Sequence, residues 1–257
     1  MNHVTVITGA SSGIGTELAR VFARNNHRLL LTGRNEAALE ALATELTGAT
    51  KPIVLTADLT EPGAAQRVVD TLRQNDVRAG ILVNNAGYGL AGRFAELDGT
   101  SQLNMIDLNM RVLTELTHLL LPDLVATQGR LLNVASTAAY FPGPGMAAYY
   151  ASKAYVLSLS EALHQELKQE GVGVTVLCPG TTATAFFDRA GINPKLIKAL
   201  RPMSPLQVAE AGYRALMAGR RVVVPGWHNR LLAGVSGVIP HFLFMSFLQH
   251  LQTGRRK

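Results

Sequence analysis

The sequence has one cysteine and one tryptophan among 257 residues, and only 16% of its residues are charged. Cys178 therefore has no partner for an intramolecular disulfide, and nothing in the fold calls for an oxidising compartment. Its place in the run Val174-Thr175-Val176-Leu177-Cys178 reads as a small buried hydrophobe. No Pro/Gly/Ser-rich linker, internal repeat or low-complexity stretch divides the chain, which predicts one domain over residues 1–257. The first residues, Met1-Asn2-His3 leading into Val4-Thr5-Val6-Ile7, lack a charged leader and a small-residue cleavage site, so cytoplasmic residence is the expectation.

Acidic residues become scarce toward the C-terminus. Residues 1–180 carry 13 basic and 16 acidic side chains, a balance of −3, whereas residues 181–257 carry 11 basic and only two acidic ones, Asp188 and Glu210, a balance of +9. The net charge of +6 thus belongs to one end of the chain, which argues against a uniformly basic surface and against a nucleic-acid partner. Between Arg230 and the closing Arg255-Arg256-Lys257, the stretch Leu231 to Gly254 has no Asp, Glu, Lys or Arg at all. Its length would allow a membrane span of about 20 residues, but Pro240, His241, Gln249, His250 and the glycines at 234 and 237 count against one. A wall packed on a pocket or a partner subunit is the leading reading, and membrane-surface contact through 231–257 is the alternative.

What the chain does have is alternation. Strands are predicted over His3 to Thr8, Arg28 to Thr32, Pro52 to Ala57, Ile81 to Asn84, Arg130 to Ala135, Val172 to Leu177 and Val222 to Val224. Most are nearly continuous apolar runs, as parallel strands covered on both faces require. Helical periodicity falls near residues 14–25, 36–46, 62–75, 101–126, 149–170 and 205–218. The expected fold class is α/β, a doubly wound parallel sheet of about seven strands with helices on both faces.

The first strand runs into Thr8-Gly9-Ala10-Ser11-Ser12-Gly13-Ile14-Gly15, followed by an amphipathic helix. Gly9, Gly13 and Gly15 let backbone approach a pyrophosphate, with the N–H groups and positive dipole end of the helix facing it. Gly9 to Gly13 also matches Gly-x-Ser-x-Gly, but a nucleophile elbow does not follow the first strand of a hydrolase sheet. Gly15-Thr16 lacks the lysine of a nucleotidase P-loop. At the end of the second strand such folds place an acid for a ribose 2′-hydroxyl or an arginine for a 2′-phosphate. Here Arg34 occupies that place and Glu36 falls in a helix capped by Asn35, which favours NADP(H) over NAD(H), although Ser12 stands where a second basic residue is sometimes found.

Asn84-Asn85-Ala86-Gly87 at the end of the fourth strand, Ser136 at the end of the fifth, and Tyr149-Tyr150-Ala151-Ser152-Lys153 opening a helix complete an ordered set. With the glycine loop they resemble the short-chain dehydrogenase/reductase family over roughly residues 3–184. The resemblance implies a Rossmann-type fold, a homodimer or homotetramer, and a catalytic set of Asn109, Ser136, Tyr149 and Lys153. It implies a hydrogen bond from Ser136 to the substrate oxygen and a water held by Asn109 that relays protons toward Lys153. For the cofactor it implies Gly9, Ser11, Ser12, Gly13, Ile14, Gly15, Asp58 and Leu59 beside Arg34. The same cofactor set continues through Asn84, Asn85, Ala86 and Gly87, then Tyr149 and Lys153, and ends at Pro179, Gly180, Thr182 and Thr184.

Spacing adds its own reading. Tyr149 and Lys153 lie four apart, on one helix face, where an ammonium lowers a phenol pKa that otherwise stands near 10. Tyr150 points about 100° away and reads as structural. Within the single domain, residues 1–184 are the expected cofactor-binding and catalytic core, 185–204 a substrate lid with Phe186 and Phe187, and 205–257 an apolar, basic extension. The expected activity is an NADP(H)-dependent oxidoreductase interconverting a ketone or aldehyde and an alcohol, on a largely apolar small molecule. The alternatives are a non-catalytic dinucleotide-binding sensor or a membrane-associated interaction protein on the same fold.

Overall fold

A computed structural model describes residues 3–46, 50–191 and 202–236. Seven strands, β1 His3–Thr8, β2 Leu29–Gly33, β3 Ile53–Thr56, β4 Arg78–Asn84, β5 Arg130–Val134, β6 Gly173–Leu177 and β7 Val222–Val223, form one sheet. All pair in parallel, in the order β3-β2-β1-β4-β5-β6-β7. The seven predicted strands are thus present, each within three residues of its expected ends.

Successive strand residues serve opposite faces. Leu30, Leu82, Leu131 and Val174 pack with Val68 and Leu72 of α3 (Ala64–Gln74) and with Leu116, Leu120 and Leu124 of α5 (Leu113–Ala126). Their neighbours Leu29, Leu31, Val83 and Leu132 pack the other way. There they meet Leu18 and Phe22 of α1 (Gly13–Arg24), Leu39 and Leu42 of α2 (Glu36–Glu45), and Val208 of α8 (Pro205–Met217). Two apolar layers explain why the strands read as unbroken hydrophobic runs rather than alternating ones. Local chemistry sets the helix starts. Asn35 Oδ1 accepts from Ala38 N at 3.0 Å ahead of α2. Ser204 and Gln207 form a reciprocal capping box ahead of α8, with Pro205 in its first turn.

The expected helix 101–126 is not continuous. α4 (Gly99–Ile106) passes through a widened π-helical turn, Asp107–Val112, before α5 begins. Asn109 sits in that turn, and its amide bonds out of the helix, to Tyr88 O and Ser152 Oγ at 3.0 Å each. Periodicity of apolar residues does not register the one-residue widening. Three short or irregular elements lacked a sequence signal: a 3₁₀ turn Thr137–Tyr140, α7 (Phe186–Arg189) and α9 (Trp227–Val235). The sixth long helix, α6, is Ala147–Glu166. Of the expected lid, residues 192–201 lie outside the described residues, as do residues 237–254 of the uncharged run and the closing residues 255–257. Among the described residues no helix is long and apolar enough to cross a membrane.

Candidate active site

Strand order reverses around β1, which pairs with β2 on one side and β4 on the other. In open parallel sheets a crevice opens at the carboxyl ends of strands at such a point. The chain stitches that crevice with Thr8 and Asn85. Thr8 Oγ1 accepts from the backbone N–H of Asn85 and of Ala86 at 3.0 Å, while Asn85 Nδ2 donates to Thr8 O at 2.9 Å. Over this seam lies a cavity of about 1030 Å³ that runs from the glycine loop to Tyr149.

At one end of the cavity stand Gly9, Ser11, Ser12, Gly13 and Ile14. Gly13 has φ +61°, and a Cβ on Gly9 would lie 2.9 Å from Ala86 Cα, so the loop closes only with bare backbone at these positions. Gly15 does not line the cavity; a Cβ there would fall 2.2 Å from Gly9 O, so it lets α1 seat directly beneath the loop. The Ser12 side chain makes no cap hydrogen bond to α1 and no acid lies in its first turn, so its positive end faces the cavity. A bare backbone cradle at a helix N-terminus fits the pyrophosphate of a dinucleotide.

Further along the same wall are Arg34, Asp58 and Leu59. The Arg34 guanidinium is 68% exposed and 3.7 Å from the Asp58 carboxylate. Burial pushes the Asp58 carboxyl up, but hydrogen bonds from Thr60 and the charge of Arg34 outweigh it and leave it below its ordinary value. Arg34 is therefore a largely exposed cation on the cavity wall, paired at long range with Asp58.

Asn85, Ala86 and Gly87 line the middle of the cavity, whereas Asn84 lies behind them. Asn84 is buried and donates to Thr117 Oγ1 and Asn133 Oδ1 at 3.0 Å, joining β4 to α5 and β5. Asn109 is likewise behind the wall, 1% exposed. Its Oδ1 accepts from Tyr88 N at 3.2 Å, and a Cβ on Gly87 would meet Asn109 Oδ1 at 2.8 Å and Lys153 Nζ at 3.5 Å. The absent side chain of Gly87 thus lets a buried amide and a buried ammonium approach the same point.

Ser136, Tyr149 and Lys153 meet at the far end of the cavity. Ser136 ends the β5 segment and turns the chain into the 3₁₀ element, its Oγ accepting from Ala138 N at 3.1 Å. Lys153, 6% exposed, donates from Nζ to Val134 O at 2.9 Å and lies 5.9 Å from the centre of the Tyr149 ring. Burial pulls the ammonium down to about 8, so it remains mostly charged at neutral pH. The expected lowering of the Tyr149 phenol is not what the structure shows. Burial raises it well above the ordinary tyrosine value, and the facing Ser136 hydroxyl recovers only part of the shift. The ammonium is committed to a β5 carbonyl, and desolvation wins.

Pro179, Gly180, Thr182 and Thr184 close the cavity from the β6 side. Met203 holds this loop, taking a hydrogen bond from Ala183 N at 2.9 Å and giving one to Thr181 O at 3.0 Å. Phe186 falls in the expected lid and Met146 carries no sequence signal, and both stand in the apolar surround of Tyr149. Phe186 lies 5.4 Å from its ring, and a Cβ on Gly89 would strike Phe186 Cζ at 2.8 Å and Met146 Cε at 3.1 Å. Ala91 N donates to Ala190 O at 3.0 Å and ties the end of α7 to the segment after β4. Tyr150, expected to be structural, also lines this end, as does Leu232 of α9. Pairwise contacts across such distances in sequence leave no periodic trace. Among the described lining residues the charged ones are Arg34, Glu36, Asp58 and Lys153, so none stands on the Phe186 side of Tyr149. Among the described residues there is also no cluster of His, Cys, Asp and Glu able to hold a metal.

The profile described as short chain dehydrogenase matches residues 3–194. Sulfoacetaldehyde reductase 2 of Chromohalobacter salexigens is 38% identical over 215 residues, covering 82% of this chain and 85% of that protein. Two solved structures superpose closely. The short-chain dehydrogenase from Sphingobium yanoikuyae in complex with NADPH has a TM-score of 0.81 and 33% identity, with 93% of this chain and 96% of that chain covered. The short chain dehydrogenase/reductase from Burkholderia phymatum in complex with NAD has a TM-score of 0.79 and 25% identity, with 91% and 92% covered.

Proposed function

The chain belongs to the short-chain dehydrogenase/reductase family, oxidoreductases of CH–OH groups that use NAD or NADP, and from that premise we propose an NADP(H)-dependent reductase of a largely apolar ketone or aldehyde. The observation that carries this reading is the meeting of Ser136, Tyr149 and Lys153 at one end of a cavity whose other end is the bare glycine loop with Arg34 beside it. The glycine loop, Asp58, Leu59, Asn85 to Gly87, Lys153 and the Pro179–Thr184 loop would hold the dinucleotide, and Arg34 would take a 2′-phosphate. When bound, the dinucleotide would supply a hydride to the carbonyl carbon or, in the reverse direction, accept one from the alcohol carbon.

The chain's own residues handle the oxygen. Ser136 donates a hydrogen bond to it, and Tyr149 gives it a proton. A buried phenol raised above its ordinary value is fully protonated at neutral pH, the state a proton donor needs. The Lys153 ammonium supplies positive charge that offsets a developing phenolate. Asn109, bonded to Tyr88 O and Ser152, fixes the turn behind Lys153 and positions the proton path from that side. An apolar substrate body is supported by Met146, Tyr150, Phe186 and Leu232, and by the lack of any charged described residue at that end. Residues 1–184 then serve as the cofactor and catalytic core, with the later segments closing over the substrate, in a cytoplasmic homodimer or homotetramer.

The test is NADPH consumption with a panel of ketones and aldehydes. Tyr149→Phe is expected to lose turnover about 10²–10⁴-fold, the usual contribution of a general acid, with NADPH affinity within twofold of the parent. Parent-like turnover in that variant overturns the assignment. A second reading, contact of the C-terminal end with an anionic membrane surface, is favoured by the exposure of Trp227 (76%) and Leu231 (61%) beside Arg230. Intact protein should then sediment with phosphatidylserine vesicles and a chain ending at residue 230 should not.

A further inference from the structure

Asn229 is the one buried residue of α9, while Arg230 Nε donates to Val224 O at 3.0 Å at the helix surface. The Asn229 amide lies flat against Gly180, where a Cβ would come within 2.4 Å of both Nδ2 and Oδ1. Nδ2 donates to Pro225 O at 2.7 Å, and it lies 3.9 Å from Met203 Sδ. Met203 is the residue whose backbone bridges Thr181 and Ala183. The Pro179–Thr184 loop is therefore clamped between a backbone bridge and the face of one amide. Three residues on, one helical turn further on the same side of α9, Leu232 lines the cavity.

We infer that Asn229 is a positioning residue that joins α9 to the Pro179–Thr184 loop, so that the Leu232 wall and the loop keep one mutual arrangement on either side of the Tyr149 end. The inference deepens the proposed function, since the loop is assigned there to the dinucleotide. Its first consequence, however, concerns the protein without any ligand. An apolar side chain of the same size fills the space but leaves Pro225 O without its donor and offers no flat face to Gly180. The loop then loses one side of its clamp while the core beneath it is untouched.

The experiment compares Asn229→Leu, Asn229→Ala and Gly180→Ala with the double variant Gly180→Ala/Asn229→Ala. In cofactor-free protein, backbone hydrogen exchange at Ala183 and Met203 should quicken at least tenfold in Asn229→Leu and Asn229→Ala, while β4 and β5 exchange as in the parent. Gly180→Ala, driven against the amide, should show the largest effect, and truncating Asn229 in the double variant should restore its exchange to that of Asn229→Ala. NADPH affinity, followed through Trp227, the chain's one tryptophan, should fall about five- to tenfold in Asn229→Leu with the melting temperature little changed. Parent-like exchange in Asn229→Leu and Asn229→Ala, or uniform quickening across the sheet, overturns the inference. If instead exchange responds as expected but the parent binds neither NADPH nor NADH, the positioning role stands and the proposed function fails. Should Asn229→Leu not fold, Asn229→Asp, which keeps the shape and loses the donor, carries the same exchange criterion.

Discussion

At the glycine-loop end of the cavity backbone lies against backbone, Gly15 beneath Gly9 O and Gly9 against Ala86, and the Asn85 side-chain amide fastens Thr8 O beside them. At the Tyr149 end the wall is made of side chains from segments far apart in the chain, with Phe186 and Met146 crowding Gly89 and Leu232 arriving from α9. The first arrangement tolerates almost no substitution, because nothing can rotate away from a carbonyl oxygen. The second tolerates exchange of one apolar body for another. One molecule thus pairs a rigid site for a constant ligand with an adjustable site for a variable one.

Three substitutions would break or sharpen that contrast. Gly15→Ala places a methyl 2.2 Å from Gly9 O, and forcing such an overlap costs about 1–3 kcal/mol. A fall of several degrees in melting temperature and a loss of dinucleotide affinity of about 100-fold are expected, read by thermal unfolding and fluorescence titration. A loop that accepts alanine without loss would show that this end is as adjustable as the other. Arg34→Ala tests a place at the rigid end where a charged side chain and not backbone would read the ligand. Removing a charged hydrogen bond worth about 1.5–3 kcal/mol should raise the NADPH dissociation constant about 10- to 100-fold and leave NADH within twofold; equal losses would place the 2′-phosphate elsewhere. Phe186→Ala should give the smallest effect. Steady-state kinetics are expected to show KM moving a fewfold in favour of bulkier ketones, a shift typical of pocket contacts, with NADPH affinity unchanged. Loss of NADPH binding there would mean that the two ends are not separable.

The same contrast governs what could be read from the sequence. Glycine at 9, 13 and 15, the Asn84 to Gly87 turn and the Tyr149–Lys153 spacing are local signals, because each arises from backbone or from one helix face. The structure brings most of those residues to one cavity and sets Gly15, Asn84 and Asn109 behind its wall. The state of Tyr149 was misjudged from spacing alone: one helical turn brings the ammonium near the ring, but its hydrogen bond goes to Val134 O and burial decides the direction. Tyr150, Met146 and Asn229 were illegible for another reason. Their roles depend on which loop lies opposite, and no period or motif in one segment records the identity of its neighbour.

The sheet order carries a consequence for how the molecule comes into being. β1 is made before its six partners yet lies inside the sheet, between β2 and β4, and the seam at Thr8 waits for Asn85, 77 residues later. The cavity then needs Tyr149 and the Pro179–Thr184 loop as well. Contacts of such long range are formed slowly, after their loop entropy has been overcome. A chain still short of Pro179 lacks the wall that closes the cavity from the β6 side, so ligand binding can reward only the finished fold. A growing excess of dinucleotide should accordingly raise the melting temperature of the complete protein, as mass action requires of any ligand that binds the folded state alone, while leaving chains that end before Pro179 unaffected.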